Sequence, residues 1–322
     1  MRLCRWLLCA LLLVSASAAD AQTWPTRPVK LIVPTGPGAA TDVMARLMGD
    51  AISRALGQQI VVENVPGASG ILAHQAAARA TPDGYTFLFT NTSGLATNPV
   101  TFKTIPYDPT KDFAPVAMVV DFGPQMLSVN ADVPVKTTAE LIAHAKANPG
   151  KLSYAVDVTA GAAPIAARLL NKRASLGMVE VPYRSAAQMA QDVASGTVPV
   201  LISSMAAANA MVQAGKIRRL ALSSSKRFPP LPDLPTISET VPGVTMDGWF
   251  VVVAPAGAPA EAVTRLNREI GEFLKGPDIR ERLARFGLGT SGAGTPASTG
   301  EFIRAEQEKW RGLAKELNIE PQ

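Results

Sequence analysis

Cysteine is almost missing from this 322-residue chain, and the two present, Cys4 and Cys9, both fall at the extreme N-terminus. Around them Met1 to Arg5 supplies positive charge, Trp6 to Val14 an apolar run, and Ser15 to Ala21 small residues interrupted by Asp20. That order reads as a secretory signal over residues 1–21, with cleavage expected after Ala21. An apolar core of about nine residues falls short of the roughly 20 needed to span a bilayer. Neither cysteine follows a small residue, so lipid attachment is not expected. Cleavage then leaves a mature chain without disulfide, thiolate nucleophile or sulfur ligand, which suits a bacterial periplasm.

Histidine is equally scarce. His74 and His144 are the only two, and each falls within a predicted helix, where a satisfied helical residue is the ordinary reading. The chain has no His-Glu-x-x-His, no clustered His/Cys spacing, no Gly-x-Ser-x-Gly elbow and no Gly-Lys-Ser/Thr phosphate loop. Gly36-Pro37-Gly38-Ala39-Ala40-Thr41 looks superficially like a dinucleotide loop, but threonine stands where the third glycine permits close helix–strand packing. Neither catalytic residues, a metal nor a cofactor is therefore expected. Charge is also modest: without Arg2, Arg5 and Asp20 the chain keeps 29 basic and 25 acidic residues, a net +4. No basic run exceeds two residues, which argues against a nucleic-acid partner, while a weak positive field helps to gather small anions.

What is present is an alternation of β-rich and helical stretches, the pattern of an α/β fold with mostly parallel sheets. About 300 mature residues predict two domains. The first predicted strand, Val29 to Val33, breaks at Pro34-Thr35-Gly36-Pro37-Gly38 into a helix reaching Leu56, with Val43, Leu47, Ile52 and Leu56 on its buried face. Further on, small-residue loops recur between strand ends and helix starts. In open α/β sheets such loops line the ligand crevice, and helix N-termini there offer unpaired N–H donors and a positive dipole end.

Five loops fit this description. Thr35, Gly36, Gly38, Ala39 and Ala40 form one cradle, with Asp42 as an early-turn helix stabiliser that also stands as a candidate contact. Thr92, Ser93 and Gly94 form a second, and Thr159, Ala160, Gly161 and Ala162 a third. Ser185-Ala186, after Tyr183-Arg184, and Ser203-Ser204 complete the set, with Arg184 the basic side chain expected to reach the cleft. A single loop of this kind is an ordinary tight βα turn. Five of them, divided between two halves, point to a shared binding cleft.

An ordered series of short matches then carries a resemblance. Trp24-Pro25, Pro28 to Pro34, Pro37-Gly38 with Thr41-Asp42, Val62-Glu63-Asn64 with Pro66-Gly67-Ala68, and Pro82 to Thr86 resemble the Bug-type solute-binding proteins of tripartite tricarboxylate transporters. Tyr107-Asp108-Pro109 with Asp112-Phe113, Val181-Pro182-Tyr183, Ala214-Gly215-Lys216, Leu231-Pro232-Asp233 and Trp249 to Pro255 continue it through the mature chain. The resemblance implies a two-lobed Venus-flytrap fold with two mixed, mostly parallel sheets. One lobe spans 22–123 plus 245–322, the other 124–244, and a hinge lies between them.

It also implies a periplasmic, non-enzymatic, monomeric protein that binds a small organic or aromatic carboxylate and delivers it to a membrane permease of that transporter type. A sensor module presenting the liganded form to a membrane signalling partner uses the same fold and stays open at this stage.

The chain departs from the family pattern in its loops. Thr35 replaces the usual aromatic, Gly38-Ala39 the paired glycines, and Ser185-Ala186 a Gly-Gly pair. Pro164 removes a backbone donor near a helix start. Ser203 stands where some relatives place an acid facing a ligand ammonium, so the ligand is expected to lack an amino group.

Overall fold

The computed structural model describes residues 24–157, 161–183 and 185–321. The expected signal, residues 1–21, lies outside them. The first sheet has the order β2-β1-β3-β10-β4, from β1 (Val29–Val33), β2 (Ile60–Asn64), β3 (Thr86–Asn91), β4 (Phe113–Val120) and β10 (Phe250–Pro255). The second has the order β7-β6-β8-β5-β9, from β5 (Gln125–Asn130), β6 (Ser153–Asp157), β7 (Val179–Tyr183), β8 (Val200–Ser204) and β9 (Ile217–Leu222). In each sheet one strand, β10 or β5, runs against its two neighbours. Two mixed α/β sheets are thus built to one plan, as the fold reading anticipates.

Strands covered on both faces must be apolar on both, and the central strands of the first sheet are. Leu31, Val33, Phe87, Phe89 and Val252 bury against α1 (Ala40–Leu56) and α8 (Ala260–Lys275). Their neighbours Ile32, Leu88, Val251 and Val253 turn to the opposite face, toward α2 (Ile71–Ala78) and α10 (Pro296–Glu316). That second cluster continues through Trp249 and Met246 into the other sheet, reaching Leu127, Val156 and the helix α5 (Ala162–Arg173). Each such fully buried aliphatic or aromatic side chain contributes about 1.5–3 kcal/mol.

The buried face of α1 corrects the sequence reading. Met44, Ala45, Met48 and Ile52 are buried, while Val43, Leu47 and Leu56 are only partly covered. The buried stripe is therefore turned from the predicted one, and Gly49 within it packs on β2, where a Cβ would stand 3.4 Å from Ile60 Cγ2.

Pairing directions decide which edges face each other. β4 runs parallel in sense to β1 and β3, since each opposes β10 or pairs in parallel. Its C-terminal end therefore lies with theirs, and 121–124 carries the chain straight into β5. β5 opposes β8, which pairs in parallel with β6, so it starts beside the C-terminal ends of β6 and β8. The loop-bearing edges of the two sheets consequently meet across the crossing.

A second crossing, residues 223–249, returns the chain to β10. The two are tied where Gly248 N–H donates to Gly123 O at 2.8 Å, and Ser223 N–H donates to Gln125 O at 2.8 Å. A Cβ on Gly123 would sit 2.6 Å from Gly248 O, so only glycine allows this approach.

Candidate functional site

The β1–α1 loop is held by its own side chains. Asp42 is 3% exposed and accepts from Gly38 N–H through Oδ2 at 2.8 Å. Its Oδ1 accepts from Asn64 Nδ2 at 2.8 Å and Arg46 Nε at 3.0 Å. Burial works to raise its pKa, but the Gly38, Asn64 and Arg46 bonds outweigh it and hold the carboxyl below its ordinary value. Asn64 also donates to Thr35 O at 2.9 Å, and Thr35 and Thr41 share a 2.6 Å hydroxyl contact. Asp42 is thus the organiser of the cradle, with both oxygens already engaged. The N-cap of α1 is Ala39, which gives no side-chain cap, so among the described residues the first-turn N–H groups have no side-chain acceptor.

Beside it lies a loop that is not among the five read from the sequence. Gly67, Ala68, Ser69 and Gly70 take φ of 126°, 47°, 54° and 83° in succession. Left-handed alanine and serine cost about 1–3 kcal/mol each, strain that persists where surroundings over-determine it and that gathers at binding sites. Asn98 supplies part of that constraint, donating to Ser69 O at 3.0 Å. The signal in the sequence was the Pro66-Gly67-Ala68-Ser69-Gly70 run itself.

His74 ties this loop to the next. It is fully buried, with Nδ1 2.8 Å from Gly70 O and Nε2 2.8 Å from Thr90 Oγ1. A carbonyl only accepts, so Nδ1 carries the proton and Nε2 accepts from Thr90. Burial pushes its pKa down to about 4, with the Gly70 bond working against the shift. Gly94 packs against the imidazole so closely that a Cβ would fall 1.8 Å from Nε2. Thr92 is 5% exposed, and its Oγ1 accepts from Trp249 N–H at 3.0 Å, fastening the loop to the second crossing. The small-residue loop expected at Thr92, Ser93 and Gly94 is helical from Ser93 on: a wide turn over Ser93–Thr97 leads into α3 (Asn98–Thr101).

Across the gap, Gly161 is the extended N-cap of α5 and Ala162 its first residue, again without a side-chain cap. Thr159, Ala160 and Arg184 lie outside the described residues. Ser185 is the N-cap of α6 (Ala186–Ala194), and its hydroxyl accepts from Gln188 N–H at 3.4 Å. Ser203 is 1% exposed and donates to Ser204 O at 3.1 Å, whereas Ser204, N-cap of α7 (Met205–Gln213), is exposed and gives no side-chain cap. Among the described residues no cluster of His, Cys, Asp and Glu is suited to a metal, and no helix is long and apolar enough to cross a membrane.

These features have counterparts in known proteins. Residues 44–319 match the family model described as the tripartite tricarboxylate transporter family receptor. A UPF0065 protein of Bordetella bronchiseptica is 39% identical over 97% of this chain and 92% of its own length. Protein BugT of Bordetella pertussis is 34% identical over 94% of this chain and 92% of its own. Among solved structures, Rpa4515 of R. palustris with adipate superposes with a TM-score of 0.82 at 37% identity, covering 93% of this chain and all of that one. MatC of Rhodopseudomonas palustris with bound malate gives 0.75 at 28% identity, covering 90% and 99%. Two sheets on one plan, facing loop edges and a match over most of the chain agree, and the protein is a member of the Bug-type tripartite tricarboxylate transporter receptor family.

Proposed function

We propose that this protein captures a small carboxylate between two lobes, 22–123 with 245–322 and 124–244, and closes on it by bending at the crossings. The observation that carries this reading is the opposition of side-chain-uncapped helix N-termini: α1 on one edge, α5 and α7 on the other. Such termini attract an anion by about 0.3–1 kcal/mol each when exposed and up to about 2 when partly buried, and their N–H groups point at it.

In this reading Thr35, Gly36, Gly38, Ala39, Ala40, Ser69 and Ser93 receive the acid from one side. Thr159, Ala160, Gly161, Ala162, Arg184, Ser185 and Ser204 receive it from the other. Asp42 shapes the first cradle, and Thr92 and Ser203 act from behind the surface. With Asp42 already saturated and serine at 203, a ligand ammonium finds no counter-charge in either residue, which supports an acid without an amino group.

Adipate and malate, present in the two structural relatives, support the ligand class. Export to the periplasm, action as a monomer and delivery to a permease of the tripartite tricarboxylate type complete the proposal.

Calorimetric and thermal-shift titration of the mature chain against adipate, malate, citrate, benzoate, aspartate and glutamate tests it. Saturable binding of at least one unaminated acid, with a matching rise in melting temperature, is expected. Tight aspartate or glutamate binding would overturn the unaminated assignment. Failure of every acid, with none co-purifying by native mass spectrometry, would overturn the function itself.

A further inference from the structure

A cavity of about 270 Å³ lies at the crossing and shares no residue with the cradles above. Leu283 and Leu288 wall it from the first-sheet side, and the stacked pair Phe122 and Phe228 with Pro229 and Pro230 from the second. The walls are flat and stiff. The Phe122 and Phe228 rings stack at 5.4 Å with 16° between their planes, and proline has no rotamers to lose. Its volume is near the lower end of the range for small-molecule sites.

The charges at its rim do not cancel. Lys226 and Arg280 line the cavity, one from each side, both are exposed, and neither makes an ion pair among the described residues. Lys226 Nζ stands 6.0 Å from the centroid of the Phe122 ring. The single acid on the lining, Asp121, already accepts from Ser291 N–H at 3.0 Å. An inorganic anion would leave the apolar walls unfilled, and an apolar cation would meet like charge. A flat ring bearing one carboxylate satisfies both walls and rim.

We propose that this cavity is a second ligand site, for a small aromatic carboxylate whose ring lies along the Pro229-Pro230 wall and the edge of the Phe122–Phe228 stack, with its carboxylate between Lys226 and Arg280.

Methyl-resolved NMR of the mature chain during benzoate titration separates this site from the cleft. Leu283, Ala284 and Leu288 report on the cavity; Ala39, Ala40 and Ala162 report on the cleft. Saturable shifts at the cavity methyls are expected, with benzyl alcohol binding there at least roughly fivefold more weakly because it lacks the charge. The exposed double variant Lys226→Glu/Arg280→Glu should weaken the cavity response at least roughly tenfold while leaving the cleft methyls' response unchanged. Ala284→Trp, which fills the space, should abolish it. Equal response to benzyl alcohol, or an unchanged response in the double variant, would overturn the site. Shifts confined to the cleft methyls would also overturn it, and would leave the carboxylate-binding function standing.

Discussion

His74 is the residue where stability and site geometry are most tightly joined. Its folded pKa of about 4 lies below the ordinary 6.5 because burial penalises the imidazolium. The stabilisation from keeping it neutral is therefore complete above pH 6.5 and is lost as pH falls from 6.5 through 4. The shift corresponds to about 3 kcal/mol. Melting curves between pH 7 and 4 should show a steeper loss for the native protein than for His74→Gln, which has no ring to protonate. Parallel curves would refute the assignment.

Asp42 makes a different prediction at the same scale. Asp42→Ala removes an acceptor shared by Gly38, Asn64 and Arg46, and is expected to cost about 1.5–3 kcal/mol in urea unfolding. Acid affinity should fall as well, because the β1–α1 cradle loses the carboxylate that holds its shape. A stable variant with unchanged affinity would deny it the organising role.

At the scale of elements, the crossings hold the informative positions. Asp247 sits on the returning segment, bridged to Pro124, and its Oδ1 is buried without a hydrogen-bond partner among the described residues. Burial raises its pKa to about 6, reinforced by Glu306 and Asp121 and opposed by Lys309 and the Ser225 backbone. A carboxyl raised in this way favours the fold below its unfolded pKa of 3.8, and that advantage is lost as pH rises through 6. Asp247→Asn should thus stabilise the protein at pH 7.5 by about 2–3 kcal/mol and have little effect at pH 3.5, measured by thermal unfolding at both values. The neighbouring Gly123→Ala forces a methyl onto Gly248 O and should separate the two crossing segments. Small-angle scattering should then show a changed distribution between open and closed forms, together with weaker acid binding. An unaltered profile would mean that the glycine contact does not set the lobe angle.

For the whole molecule, the expected consequence of a cleft lined from both sides is compaction on binding. Scattering of residues 22–322 with and without the tightest acid from the titration panel should show a smaller radius of gyration when liganded. At an acid concentration of 100 times Kd, stability should rise by about 2.7 kcal/mol. Melting temperature rising without compaction would indicate a site on one lobe alone.

Local pattern was enough for the element types. Strand residues apolar on both faces, such as Phe250 to Ala254, settle in a sheet covered on both sides, and Pro34 and Gly36 mark where β1 stops. Capping also reads locally, because Thr137 needs only Glu140 N–H three residues on to start α4 (Thr138–Ala147). The absence of cysteine beyond Cys9, and the small-residue loops from Thr35 to Ser204, likewise followed from composition and order.

What stayed hidden depended on contacts between distant residues. The buried face of α1 depended on its packing against β2, the saturation of Asp42 on Asn64, and the burial of His74 on Thr90, Gly94 and Tyr107. The strained Ala68-Ser69 turn belongs here too, since nothing local favours φ above zero at either residue. Sequence by itself thus determined an α/β chain with small-residue loops between strand ends and helix starts, because propensity and hydrophobic period act over neighbouring residues. Only the tertiary structure decided which loops meet and which side chains are already used, because those depend on strand order and on the bonds that distant segments make when brought together.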